Sequence, residues 1–383
     1  MPTPFGTPRV YEKLGIRSVI HGSGTTTRYG GSRMRPETME AMREAAQVHV
    51  NIDELNVAAG AAVARMLEAP AGLVTGGSTA GLVLQAAACM TGDDPAKIAR
   101  LPDTTGLRNE FVIQRAHRFP YDQAYRVPGG VLVEIGLGRR TAAHELEAAI
   151  GDRTAGVIFL VSPFTSPPGV LPFEEVVRIA HAREVPVLVD AASMVPPRDH
   201  LFRYVRGGAD LVVYSGGKGI RGPQSTGILV GRPDLIRAAT LNASPNQAIG
   251  RAAKTSKEEI VGLVTALELC LAEDEAAEMA QFRDTCARIV EEVRDIPGLR
   301  ALVEQDPVNR VIPHAVIYFE DDWKGPSGRD VRRALAEGEP HIYVQQGTFQ
   351  GGYGEEIAVD PINLAPGEEK LLAARLREEL TRR

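Results

Sequence analysis

Asp210-Leu-Val-Val-Tyr-Ser-Gly-Gly-Lys218-Gly-Ile-Arg-Gly-Pro223 is the stretch that decides the fold. Leu211, Val212 and Val213 form a continuous apolar run, the mark of a strand buried on both faces. The run ends in a polar, glycine-rich turn from which one lysine projects. Shortly upstream, Val187-Leu-Val-Asp190 is a second apolar run, ended by a carboxylate. Working outward, the runs Leu73–Thr75, Phe111–Gln114, Val131–Ile135, Gly156–Val161 and Val185–Val189 alternate with helical patterns over Thr79–Met90, Glu145–Ile150 and Phe173–Arg183. This alternation predicts an α/β fold with a mostly parallel central sheet covered on both faces. Ligands in such sheets bind at the carboxyl ends of the strands. His117, Asp190 and Lys218 all follow strand carboxyl ends, so three residues distant in the chain are expected to converge.

Four parts are expected along the 383 residues. They are an N-terminal arm over 1–40, a large ligand-binding domain over 41–255, a connecting helix over 256–296 and a small α+β domain over 297–383. Ser256-Lys-Glu-Glu259 is a capping box that opens the connecting helix, with Ile260, Leu263, Val264, Leu267 and Leu271 at helical spacing. In the small domain Val311–Phe319 and His341–Gln345 read as strands, and Asp330–Ala336 and Glu368–Leu380 as helices. The glycine-rich stretch Gly347–Glu356 reads as a hairpin or loop.

Composition removes several classes of function. A net charge of −6 gives no bulk attraction to nucleic acid. The first residues lack the basic and apolar regions of a signal peptide, and no apolar run reaches the length of a membrane helix. Cys89, Cys270 and Cys286 are scattered among apolar neighbours and read as reduced thiols of a cytoplasmic protein. His144-Glu145 is followed by Ala148 where a zinc-binding HExxH helix needs its second histidine, so no metal site is expected.

The strand ends carry the chemistry, and each has a bland and a functional reading. Lys218 is either a solvated turn residue or a desolvated amine able to form a Schiff base. It is not a P-loop lysine, because Gly219 follows it where Ser or Thr is required. Asp190 either caps the next segment or holds a proton on a pyridine nitrogen. Val74-Thr-Gly-Gly-Ser-Thr79 joins a strand to a helix. It is either an ordinary N-capped start or a cradle in which Gly77, Ser78 and Thr79 hold a phosphate. His117 is either a satisfied strand-end residue or a stacker for a flat ring. A lysine and an aspartate on neighbouring strand ends are what pyridoxal 5'-phosphate needs.

In residue type, order and placement, this set resembles the fold-type-I pyridoxal-phosphate enzymes. Tyr214-Ser-Gly-Gly-Lys-Gly-Ile-Arg-Gly-Pro-Gln-Ser-Thr-Gly227, Gly24-Thr-Thr-Thr-Arg-Tyr-Gly-Gly31, Leu101-Pro-Asp-Thr-Thr-Gly106 and Lys257-Glu-Glu-Ile-Val-Gly-Leu263 look like the selenocysteine-synthase-like group, and within it the ammonia-lyases acting on phosphorylated sugar amino acids. The resemblance implies Lys218 as Schiff-base lysine, Asp190 as pyridine partner, and a second phosphate contact from Ser215. It also implies a homodimer and a β-hydroxy amino acid as substrate, which loses water and ammonia to leave a 2-oxo acid. Arg28 and Arg251 are candidates for substrate anions, the latter reaching into a partner subunit's site. Racemisation or aldol cleavage uses the same cofactor and is the alternative. Selenium transfer on aminoacyl-tRNA is disfavoured by the acidic charge and the missing tRNA-gripping domain, and a non-catalytic scaffold by the intact Lys218 and Asp190. One departure bears on substrate: where the resemblance implies an arginine in the C-terminal strand, this chain has Gln345 and Gln346.

Overall fold

The computed structural model describes residues 6–162, 169–306, 311–347 and 354–382. They fall into two compact units, Met34–Ala272 and Met1–Arg33 with Glu273–Arg383. The strands are β1 Val19–Gly22, β2 Ala71–Thr75, β3 Glu110–Gln114, β4 Val131–Ile135, β5 Thr154–Leu160, β6 Val187–Asp190, β7 Leu211–Ser215, β8 Gly227–Gly231, β9 Leu299–Glu304, β10 His314–Phe319, β11 His341–Gln346 and β12 Ile357–Val359.

The larger unit is built on a seven-stranded sheet in the order β2-β8-β7-β6-β5-β3-β4. Strands β7, β6, β5, β3 and β4 pair in parallel, while β8 runs antiparallel to both β2 and β7. The helix Ser78–Thr91 packs against it through Leu82, Leu84, Ala86 and Met90, which join Leu188, Leu211, Val213 and Leu229 in one core. Each leucine-sized side chain so buried contributes about 1.5–3 kcal/mol before entropy is counted. β8 was not singled out by its sequence, because only Ile228, Leu229 and Val230 stand between two glycines. Those glycines are required: a Cβ on Gly227 would lie 2.5 Å from the carbonyl carbon of Gly77. β8 therefore presses directly on the turn that precedes the helix Ser78–Thr91.

The smaller unit has a five-stranded sheet, β1-β11-β12-β10-β9, parallel at β1–β11 and antiparallel elsewhere. Ile20, Ile317, Ile342, Leu372 and Leu376 meet in its core. The boundaries differ from those expected. Residues 1–40 do not form an arm alone: Val19–Gly22 is a sheet strand paired with His341–Val344. The stretch 256–296 is two helices, Lys257–Ala272 and Glu275–Val293, one in each unit. The carboxylate of Asp274 caps the second by accepting from the amides of Ala276 and Ala277 at 3.0 and 3.1 Å. Most of the expected loop at Gly347–Glu356 lies outside the described residues. Among the described residues no helix is long and apolar enough to cross a membrane. None of the three cysteines is in a disulfide, and burial pushes the Cys89 and Cys286 thiols up to about 12, which leaves those two unreactive.

Candidate active site

β7 ends at Ser215, and the backbone then folds into a turn packed on several sides. The Gly216 amide donates to Thr226 at 2.9 Å, the Arg221 amide to the Lys218 carbonyl at 2.9 Å, and the Thr226 hydroxyl to Pro223 at 2.7 Å. The Arg35 guanidinium braces the same turn through the Ile220 carbonyl at 3.0 Å. A Cβ on Gly217 would lie 2.4 Å from the Cα of Gln224, and one on Gly219 2.0 Å from the carbonyl oxygen of Val195. The glycines flanking Lys218 thus let neighbouring backbone approach to contact distance, and the lysine leaves a turn with little room to move.

Asp190, 9% exposed, ends β6 and stands opposite Val213 of β7. Its carboxylate accepts from the Ala192 amide at 3.1 Å. Burial pushes its pKa up, against that hydrogen bond and the nearby Lys218 charge. Burial pushes the half-buried Lys218 ammonium down, against the attraction of Asp190. Each group thus lies in the field of the other, with desolvation the larger effect on both.

The turn after β2 enters the helix Ser78–Thr91 through Gly77, whose φ of 94° suits glycine. Gly77 is the N-cap, so Ser78 is the first helical residue and not the cap. Gly77 has no side chain to cap the helix, so the first amides, at Ser78 and Thr79, point out of it without side-chain acceptors there. A helix terminus of this kind, here carrying two hydroxyls, has the geometry that can receive an anion. The short turn Arg251–Ala253 lies against it: a Cβ on Gly76 would sit 2.3 Å from the Ala253 carbonyl oxygen. Arg251 itself is exposed.

His117 closes a short turn after β3 and is buried. Its Nδ1 accepts from the Leu160 amide at 3.4 Å, and its ring stands edge-on to Phe159 at 4.7 Å. Leu160 pairs with Asp190, which ties His117 to the strand beside the aspartate. Residues 77–79, 117, 190, 215, 218 and 251 therefore all belong to the larger unit. Arg28 lies in the smaller unit, exposed on the turn Thr27–Tyr29. In that unit Gln345 packs beside Gly24, and the Gln346 amide donates to the Gly354 carbonyl at 3.2 Å. Two buried residues near Asp190 went unremarked in the sequence, Gln85 and Tyr125. Gln85 had a visible signal, as the only polar side chain between Thr79 and Thr91.

Residues 19–295 match the family model described as SelA: L-seryl-tRNA selenium transferase. A D-glucosaminate-6-phosphate ammonia lyase from Salmonella typhimurium is 35% identical over 97% of this chain and 98% of its own length. A 5'-C-glycyluridine monooxygenase-decarboxylase from a Streptomyces species is 32% identical over 97% of this chain and 92% of its own. The solved structure of a D-glucosaminate-6-phosphate ammonia-lyase superposes with a TM-score of 0.84 at 34% identity, covering 98% of each chain. The chain belongs to the SelA family of fold-type-I pyridoxal-phosphate enzymes.

Proposed function

We propose that this chain is a pyridoxal-phosphate ammonia-lyase that eliminates water from a phosphorylated, sugar-derived β-hydroxy amino acid and, as the dehydrated product takes that water back in hydrolysis, releases ammonia and a 2-oxo acid. What carries the reading is the pair Lys218 and Asp190, held at the ends of neighbouring strands, each in the other's field. The donor set fits the cofactor. The Gly77–Thr79 turn and the Ser215 hydroxyl suit a phosphate dianion, His117 a ring face, Asp190 a pyridine nitrogen and Lys218 an aldehyde. Bound there, pyridoxal 5'-phosphate supplies an aldehyde for the substrate amine and a ring that accepts electrons from Cα.

The chain's own residues do the rest. Asp190 holds a proton on the ring nitrogen through a charge-assisted hydrogen bond. Lys218, its pKa lowered by desolvation, takes the proton from the substrate Cα and holds the one that lets the β-hydroxyl leave as water. Water returns when the dehydrated product hydrolyses to ammonia and the 2-oxo acid, so the net loss is ammonia. Arg28 and Arg251 bind the substrate carboxylate and phosphate. The protein works as a cytoplasmic homodimer on a small molecule.

The likeness to a monooxygenase-decarboxylase over the same length supports a second reading, oxidative decarboxylation on the same lysine. Purified protein is expected to take up the cofactor, and borohydride to fix it on the peptide containing Lys218. Without oxygen, phosphorylated D- or L-β-hydroxy amino acids are expected to yield ammonia and 2-oxo acid in equal amounts. Lys218→Ala is expected to cost at least about a thousandfold in turnover. Oxygen uptake with carbon dioxide release favours the second reading, inverted amino acid a racemase, and failure to bind the cofactor overturns both readings.

A further inference from the structure

Gln85 lies in the helix Ser78–Thr91, inside the apolar stretch Gly81-Leu-Val-Leu-Gln-Ala-Ala-Ala-Cys-Met90, and is fully buried. Its carboxamide nitrogen donates to two main-chain carbonyls, Val189 at 3.2 Å and Leu211 at 3.2 Å. Its carboxamide oxygen accepts from the Tyr125 hydroxyl at 3.1 Å. Val189 belongs to β6 and immediately precedes Asp190. Leu211 opens β7, the strand that runs into the Lys218 turn. One side chain therefore bridges the two strands that carry the candidate catalytic pair.

Strand association alone does not call for this bridge. β6 and β7 are already joined by their own ladder from Leu188–Leu211 to Asp190–Val213. A leucine at position 85 would suit a face that includes Leu82 and Val213. Burying an amide costs free energy that only full hydrogen bonding offsets, and here both ends of the carboxamide are used. What the amide adds is a fixed offset between two strands. Tyr125 is itself buried, and burial first, then the Asp190 charge, pushes its phenol well above the ordinary value. It remains a donor at every working pH and sits within the field of Asp190.

We propose that Gln85, held by Tyr125, is a positioning residue that locks β6 against β7, so that Asp190 and Lys218 keep the separation a rigid pyridine ring demands between its nitrogen and its aldehyde. The proposal rests on the pyridoxal-phosphate reading above. Gln85 touches neither substrate nor cofactor; it acts through the strand carbonyls.

Gln85→Met keeps the length and fills the space without the hydrogen bonds. Tyr125→Phe removes a single hydroxyl. Apo-protein of each is titrated with pyridoxal 5'-phosphate, the pH midpoint of the bound cofactor's visible band is recorded, and the melting temperature of the apo form is measured. Gln85→Met is expected to weaken cofactor binding about tenfold, the cost of a buried hydrogen bond or two, and to move the band midpoint. Its kcat falls while KM for substrate holds, because the anion contacts lie elsewhere. Tyr125→Phe moves the same quantities in the same direction by about threefold, and carries the test if Gln85→Met does not fold. Wild-type affinity and band midpoint in both variants overturn the proposal, as does a lower melting temperature with both quantities unchanged. A wild-type protein that takes up no cofactor overturns the pyridoxal-phosphate reading, and this proposal with it.

Discussion

Asp190 and Asp210 lie at opposite ends of the same pair of strands, 9% and 6% exposed. Asp210, just before β7, accepts from the Val187 amide at 2.7 Å, meets His181 Nε2 at 2.9 Å and pairs with Arg232 at 3.0 Å. Arg232 is fixed in turn by Asp234 at 2.6 Å, and the two carboxylates hold its guanidinium well above its usual range. Asp190, among the described residues, accepts from the Ala192 amide alone, and burial outweighs that bond. The saturated carboxylate ties a helix, two strands and a loop together. On the proposed reading, the carboxylate with spare lone pairs beside a desolvated lysine is the one that grips a cationic ring nitrogen. Burial and residue type are the same; hydrogen-bond saturation separates architecture from chemistry.

Paired substitutions give the sharpest way to break this contrast. Asp190→Asn is expected to cost at least about a hundredfold in turnover, because an amide cannot hold the ring proton by charge. It should leave the melting temperature of the apo-protein undiminished. Asp210→Asn is expected to lower that temperature by several degrees, about 2 kcal/mol, through the loss of charge-assisted bonds to Arg232 and His181. Its affinity for pyridoxal 5'-phosphate should match the wild type. Calorimetry and cofactor titration on both variants decide the matter, and equal destabilisation by the two would erase the distinction.

Acidity sharpens the same comparison with a smaller effect. Asp190 has its folded-state pKa raised by burial, so the folded apo-protein holds that proton more tightly than the unfolded chain. The stability it contributes is fully present below the unfolded value of about 3.9 and is lost as pH rises through the raised folded value. Apo-protein carrying Asp190→Asn should therefore melt with the wild type in acid and above it toward neutrality. A gap that stays constant across that range would assign the raised pKa no part in stability. Lys218 acts in the opposite sense: its lowered pKa makes stability rise with pH as the ammonium discharges between the folded value and 10.5.

Legibility follows the same division between local and distant causes. Asp190 and Lys218 are readable because an apolar run ended by one polar residue is a local signal, and strand–helix alternation puts such ends on one edge of a sheet. The helix Ser78–Thr91 is readable from its spacing, although its cap is Gly77, at a positive φ. β1 is not readable: its four residues gain strand character only by pairing with β11, across nearly the whole chain. β8 is hidden because glycine at both ends, demanded by the close approach to Gly77 and Asp210, erases the usual strand pattern. Gln85 stands out in its apolar stretch, but the two carbonyls it reaches belong to strands more than a hundred residues away. The capping box is wholly local. The Ser256 amide donates to Glu259 at 2.9 Å, and the Glu259 amide to the Ser256 hydroxyl at 3.2 Å.

That capping box supplies the smallest test, and a control for the larger ones. Glu259 also accepts from the Ser225 hydroxyl, beside Gln224, whose backbone lies against Gly217 in the lysine turn. The helix start at Ser256 is thus one residue removed from the brace on Lys218. Ser256→Ala deletes the acceptor for the Glu259 amide and is expected to cost about 1 kcal/mol of stability. It leaves the Glu259 carboxylate free to keep Ser225, so cofactor affinity should stay at the wild-type value, read by the same titration. Glu259→Gln weakens the charge-assisted tie to Ser225 and should soften the lysine turn as well, with a modest loss of cofactor affinity. If Ser256→Ala alone lowers that affinity, the turn depends on the whole helix start, and saturated architecture and chemistry are coupled at this end of the sheet.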